Sequence, residues 1–451
     1  MTHLKHFRRL LAVGAAAAVV VAMSTVGADA DDVTDATEPV LERTWIGEPS
    51  DRMEDVAFDL EQLVAENPNV FSGLAFASDF GAIEVYYAAS EAKTADSLLD
   101  QVDANSTEII RHERQRSLQN LLDLQQTTAQ ALTDQGVKWN GLGIDFYADG
   151  LTLGVPDSTA MSRSTSTVDL SALGIVSTEI DQREAVAYSP RFDAPRFTMG
   201  SQLIDNITYG GCSAGYPITL PNGTIGVLTA GHCGFGTYFN DGNPTSYIVG
   251  ATYANTWGVS QQSYGDWQVL SNNGTVNNPG GMEVVGSNPD RVERFIYSTN
   301  DPVNAPETAK NLIVGMNYGV RTVGTTLCVT GATTGTSCRY RVHETNKMVP
   351  VGLSPTRTVG HVTVTFSDQN LDGTPDCGRT YYGDSGGPVW YERSTGGAIG
   401  YGIVTAGSEE SDCPVGPSGR RYGKWQYSTQ MSGVKALYPT AVIGGFLNGT
   451  S

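Results

Sequence analysis

The chain has 451 residues, 40% of them hydrophobic, and carries 48 acidic against 28 basic side chains for a formal charge of -20 at pH 7. That length supports a sizeable core or two domains, while the acidity and the lack of any basic or aromatic cluster exclude nucleic acid as a partner. After the first residues no apolar stretch is long enough to span a bilayer, so no membrane partner is expected.

In chain order, Lys5, Arg8 and Arg9 precede an apolar run from Leu10 to Ala22 and a small-x-small site, Ala28-Asp29-Ala30. This predicts a signal peptide over 1–30 and hence a secreted, extracellular protein of bacterial type. Residues 31–198 then hold 30 acidic and 11 basic residues, whereas 199–451 hold 17 and 14. All six cysteines, at 212, 233, 328, 338, 377 and 413, lie in the second stretch. An even count in an exported chain, without Cys-x-x-Cys spacing, reads as a disulfide framework rather than zinc or redox chemistry. The composition break marks two domains.

Residues 31–50 read as a disordered acidic entry. From Asp51, Met53, Val56, Ala57, Leu60, Leu63 and Val64 recur at helical spacing and predict a helix ending before Pro68. A second helix is predicted from Asn105, capped with Glu108, through Leu118 and Leu132 to Gly136. His112 would sit on it as a solvated side chain. Ala82–Ala88 and Leu151–Val155 read as strands, giving a small α+β unit. Residues 156–198 are rich in Ser, Thr, Asp and Pro and read as a linker, cleavable within Ser189 to Arg196. From 199 the pattern turns to short β-rich runs, at Ile225–Leu228, Trp267–Leu270, Asn311–Val314, His361–Phe366 and Ile399–Val404, with one helix over Ser428–Leu437. Many short strands between Gly, Asn and Pro predict an all-β, antiparallel barrel architecture.

Three local contexts carry chemistry. Thr229-Ala230-Gly231-His232-Cys233, Tyr264-Gly265-Asp266-Trp267 and Gly383-Asp384-Ser385-Gly386-Gly387-Pro388 place a base, an orienting carboxylate and a nucleophile in one order. The glycines around Ser385 let the N–H groups of Gly383 and Ser385 face one point, as an oxyanion hole requires. Beyond the linker the bases on offer are His232, His343 and His361. His361 lies in a Val-rich strand pattern and His343 in a polar stretch, which leaves His232. Asp241 competes with Asp266, but its context is a turn rather than the start of an apolar strand.

With Cys328 to Gly335 and Cys338 added, the chain resembles the chymotrypsin-like secreted bacterial serine proteases of the streptogrisin and α-lytic protease group, over about residues 199–451. The resemblance implies two antiparallel six-stranded β-barrels, and the disulfides Cys212–Cys233, Cys328–Cys338 and Cys377–Cys413. It implies a zymogen in which 31–198 is a pro-region, both folding assistant and cleft inhibitor. Val404, Thr405, Ala406 and Gly407 would form the substrate pocket. Protein or peptide substrates and the chain's own pro-region are the implied partners, and a monomer is expected. A silent binding or regulatory protein, and an esterase on the same fold, are the rival readings.

The chain departs from the family at Val329, where relatives carry an arginine that offsets the carboxylate next to the nucleophile. Asp384 is therefore expected to need another cation, Arg379 in preference to a new amino terminus near 199. No cofactor is required by this chemistry. Calcium is the one candidate, because Asp368, Asn370, Asp372 and Asp376 have loop spacing with Gly373 at the sharp turn, although Arg379 stands where a bidentate glutamate belongs. An Asp-rich surface turn explains the same residues.

Overall fold

The computed structural model describes residues 43–445 except 105, 158–159, 161–167, 181–196, 206–210, 241–246, 258–263, 272–291, 298–309, 320, 351–357, 382, 394–395 and 417–419. The signal-peptide stretch, the cleavable motif from Ser189 to Arg196 and Asp241 lie outside these residues. No helix among the described residues is long and apolar enough to cross a membrane.

Helix α1 (Asp51–Glu66) opens at Ser50, whose hydroxyl accepts from the Met53 N–H at a helix end that lacks internal acceptors. Met53, Val56, Ala57, Leu60 and Val64 bury one stripe, as their spacing predicts. Strands β1 (Phe71–Phe76) and β2 (Ala82–Ala88) pair antiparallel, and β3 (Glu108–Arg114) joins β2 in parallel. Helix α2 (Ala92–Leu99) lies between β2 and β3, and α3 (Leu118–Asp134) follows β3.

The expected helix from Asn105 is thereby corrected. Its first part is strand, and the capping box belongs to Ser117 and Asn120. His112 accordingly sits on β3, half-buried, its ring stacked on Tyr86 at 4.7 Å between centroids. Strands β4 (Gly141–Asp145) and β5 (Gly150–Val155) form a hairpin that β6 (Ile175–Ile180) extends in parallel. β6 corrects the reading of 156–198 as linker throughout.

After β7 (Phe197–Met199) the chain builds a first barrel from β8 (Gln202–Asp205), β9 (Gly211–Ser213), β10 (Pro217–Thr219), β11 (Ile225–Thr229), β12 (Thr237–Asn240), β13 (Tyr247–Asn255) and β14 (Gln268–Ser271). The pairs run β9–β8–β12–β13–β14–β11–β10, all antiparallel. β9 and β10 are two halves of one extended run, bridged by Gly215 N–H donating to Leu228 O and Leu228 N–H donating to Tyr216 O. Among the described residues the sheet therefore closes on itself as six strands.

β15 (Val292–Tyr297) and β16 (Lys310–Met316) lead to the second barrel. It comprises β17 (Thr326–Gly331), β18 (Gly335–Pro350), β19 (Thr358–Ser367), β20 (Pro388–Glu392), β21 (Ala398–Gly407) and β22 (Trp425–Gln430). Each strand pairs antiparallel with two others in the ring β17–β18–β19–β22–β21–β20. Helix α4 (Met431–Leu437) is shorter than expected, because Ser428 to Gln430 complete β22. β23 (Val442–Ile443) returns to pair with β10 of the first barrel.

The acidic segment rests on the second barrel. Leu142 of β4 pairs with Met348 of β18, and the buried Gln125 of α3 donates to Leu142 O and to Asn346 O at 2.7 and 2.8 Å. Phe76 N–H of β1 donates to Val323 O. One apolar cluster joins Phe71, Leu74 and Leu142 to Val342, Val389 and Ile399. A second, with Tyr216, Trp267, Trp390, Ile403 and Met431, fills the space between the barrels. Burial of side chains this large supplies the main favourable term in holding such parts together.

Candidate active site

β11 ends at Thr229, and the short turn Gly231–Cys233 lifts His232 out of the first barrel. A Cβ on Gly231 would lie 2.8 Å from Asn255 Oδ1 and 3.0 Å from Asp266 Oδ1, so this close approach calls for glycine. Asp266, fully buried just before β14, accepts from His232 twice: Oδ1 takes the backbone N–H at 2.8 Å and Oδ2 takes Nδ1–H at 2.6 Å. His232 Nε2 lies 3.0 Å from Ser385 Oγ. The three side chains singled out by motif are brought together, two from the first barrel and one from the second.

Ser385 sits on the turn into β20. Gly386 has φ +87°, and a Cβ there would overlap Thr229 Oγ1 and Ser213 O, so no other residue fits. Gly386 N–H donates to Val404 O and Val404 N–H donates to Gly387 O, which staples this loop to β21. Among the described residues no acceptor takes the N–H of Gly383 or of Ser385, the two proposed oxyanion donors.

Asp384 corrects the expectation of a cationic partner. It is fully buried, yet among the described residues its carboxyl meets no cation, and Arg379 is exposed. Four donors serve it instead: Thr333 N–H (3.0 Å) and Thr334 N–H (3.2 Å) on Oδ1, with Tyr381 N–H (2.7 Å) and Thr334 Oγ1–H (2.6 Å) on Oδ2. A new amino terminus near 199 would arise only on cleavage; in the intact chain Met199 ends β7 and Gly200 N–H donates to Ala214 O. Four hydrogen bonds answer the lone pairs of a carboxylate, but not its desolvation. Burial pushes the Asp384 carboxyl up to about 6 against those bonds.

The folded-state value is raised above the ordinary one, so this group's contribution to stability is full below about 4 and is lost as pH rises to about 6. Replacing Thr334 by Val should remove the hydroxyl donor, raise the Asp384 value further and cost about 1–3 kcal/mol. The loss should be larger at pH 8 than at pH 5, as read by urea denaturation at both. An equal loss at the two pH values would argue against the carboxylate as the cause.

Val404, Thr405, Ala406 and Gly407 lie on β21, with Val404 packed into a core cluster. β20 pairs with β21 only as far as Ile403, and the Ser385 loop takes Val404. Among the described residues the edge from Thr405 to Gly407 pairs only with β22. The implied disulfides form: Cys212–Cys233, Cys328–Cys338 and Cys377–Cys413.

The calcium candidates do not converge. Asp368 is buried against Arg341 Nε at 2.6 Å, Asp376 Oδ2 accepts from the N–H groups of Gln369 and Asn370, and Asp372 accepts from Thr374. The one cluster of metal-ligating atoms among the described residues is Cys212, His232 and Cys233, whose sulfurs are bonded to each other.

His361 lies in β19 as expected, with Nδ1 3.0 Å from Ser432 Oγ, and burial pushes its imidazole down to about 4. His343 is enclosed by the edges of Phe366 and Trp425. Three supports went unread in the sequence. Trp257 meets His232 edge-to-face with 5.6 Å between ring centres, Thr429 Oγ1 accepts from Asp266 N–H, and Ser213 N–H donates to Ser385 O. Only Trp257, the one tryptophan between His232 and Asp266, offered any signal.

No family model matches the chain, and no curated protein does. Among solved structures, a Nocardiopsis protease (NAPase) is similar at 18% identity and a TM-score of 0.35, over 55% of this chain and 98% of that one. A glutamic acid specific serine protease, described as using a histidine triad in substrate binding, is similar at 17% identity and a TM-score of 0.34, over 54% of this chain and 97% of that one. Two closed six-stranded antiparallel barrels, one bearing His232 and Asp266 and the other Ser385, give this chain the chymotrypsin-like double-barrel fold.

Proposed function

We propose that the protein is a secreted serine endopeptidase made as a zymogen. The observation that carries this reading is His232 set between Asp266 at 2.6 Å and Ser385 at 3.0 Å. In that arrangement His232 Nε2 takes the Ser385 proton as Oγ attacks the peptide carbonyl, and Asp266 holds the tautomer and steadies the imidazolium. The N–H groups of Gly383 and Ser385 receive the oxyanion. His232 then passes its proton to the leaving amine, and water resolves the acyl-enzyme by the same steps in reverse.

An extended substrate would pair with the open edge from Thr405 to Gly407. The side chain before the scissile bond is proposed to be apolar. Val404 is aliphatic and packed into a core cluster, and Asp376 is engaged by its own turn. Calcium is given no part. Purified protein should be labelled at Ser385 by an organofluorophosphate probe and should cleave an unstructured protein. Labelling with ester turnover alone would favour the esterase, and no labelling the silent binding protein.

Residues 31–198 are proposed to be the pro-region, removed near 198. The contacts of Leu142, Gln125 and Phe76 with the second barrel support its service as a folding template. A two-barrel domain rich in distant strand pairings folds slowly. Residues 199–451 refolded alone should therefore stall as an inactive species, and 31–198 added separately should raise the recovered activity at least tenfold. Equal recovery without the segment would restrict it to inhibition.

A further inference from the structure

Glu61, on α1 of the acidic segment, is fully buried and plugs into the segment that leads into the second barrel. Its Oε1 accepts from Arg321 Nη1 (2.7 Å), Thr322 N–H (2.7 Å) and Thr322 Oγ1–H (2.6 Å). Its Oε2 accepts from Asn317 Nδ2 (2.5 Å) and Tyr401 Oη–H (3.2 Å). The Arg321 guanidinium lies 4.2 Å from the Tyr401 ring centre and is itself almost wholly buried. All five donors come from residues 317–401, more than 250 positions from the carboxylate they hold. A guanidinium, a backbone N–H, two hydroxyls and an amide directed at two oxygens are the donor set for a planar monoanion.

A helix-to-barrel contact needs nothing so complete. Arg321 Nη1 also donates to Tyr401 Oη at 3.0 Å, and the second acidic contact of Arg321 is looser: Nη2 meets Glu54 Oε2 at 3.2 Å. Burial foremost, and the neighbouring Glu61, push the Glu54 carboxyl up to about 7 against the pull of Arg321.

We propose that Asn317, Arg321, Thr322 and Tyr401 form a monocarboxylate-binding subsite, distinct from the Ser385 centre, that is filled by Glu61 in the intact chain and takes an outside carboxylate when Glu61 is gone. In the matured enzyme the ligand is an acidic side chain of another polypeptide. That part rests on the proposed removal of residues 31–198, whereas the subsite itself does not. Gln62 and Ala65, with Tyr318 and Gly319, line a cavity of about 480 Å³, which brings open space to within a few residues of the cradle on both chain segments.

The test uses the full-length chain carrying Ser385→Ala, so that processing plays no part and its outcome is separate from the fate of the protease reading. Glu61→Ala on this background should lower the melting temperature by several degrees. Acetate or formate, against sodium chloride at equal ionic strength, should restore about 3 °C at ~100-fold excess over its dissociation constant, the shift rising with the logarithm of concentration. Phosphate should not restore it, and the double variant Glu61→Ala, Arg321→Met should show no acetate response. If Glu61→Ala is recovered unfolded, acetate during refolding should rescue near-ultraviolet circular dichroism, and only while Arg321 is present. Equal effects of chloride and acetate, persistence of the response in the double variant, or no rescue at any acetate concentration would overturn the proposal.

Discussion

Replacing Ser385 by alanine should lower turnover by about six orders of magnitude and abolish labelling by an organofluorophosphate probe. The hydroxyl is the one nucleophile 3.0 Å from His232 Nε2, and removing it leaves the histidine, its aspartate and the loop bonds of Gly386 and Gly387 in place. The variant should fold, accumulate at full length and still bind a competitive peptide. Wild-type labelling or processing of this variant would remove Ser385 from the mechanism.

Asp266→Asn should cost about four orders of magnitude in kcat with little change in KM. Both oxygens of Asp266 accept from N–H groups, one on the His232 backbone and one on its ring. Asparagine has one acceptor. The backbone N–H cannot reverse, so the amide oxygen goes to it and the NH2 faces Nδ1. Nδ1 must then accept, and the ring proton moves to Nε2, where it points at Ser385 and blocks proton removal. Kinetics with a peptide ester, alongside a melting curve to show intact folding, check this. Full activity in Asp266→Asn would mean that the orienting group is another residue.

The proposed catalytic side chains were legible because each stands in a short motif with its immediate neighbours. Gly231 beside His232 and Gly386 after Ser385 show in the motif, although the atoms that exclude a Cβ there belong to Asn255, Asp266, Thr229 and Ser213. α1 was legible from the helical spacing of its apolar residues, which form one buried stripe.

The failures share a different cause. Glu108–Arg114 carries helix-favouring charged residues, yet seven consecutive residues pair in parallel with β2, and that partner is not visible in the strand's own sequence. Ile175–Ile180 is likewise strand only because β5 lies beside it. Asp384 was expected to require a cation because its charge is local information, whereas the donors that serve it come mainly from a turn 50 residues upstream.

Strand β9 has a mechanical consequence. Cys212 is bonded to Cys233, the residue after His232, while the adjoining Ser213 donates its N–H to Ser385 O and its hydroxyl to Gly383 O, and receives Ala332 N–H. His232 and Ser385, the proposed base and nucleophile on different barrels, are thus moored to two consecutive residues. If the barrels rock against each other, both moorings travel with the same post, and the gap between Nε2 and Oγ is insulated from changes in cleft width. Such a cleft can flex to admit chains of different bulk while the proton path keeps its length. Substitutions at 212 or 213, by contrast, would disturb acid–base and nucleophilic function together and would not combine additively with changes at either.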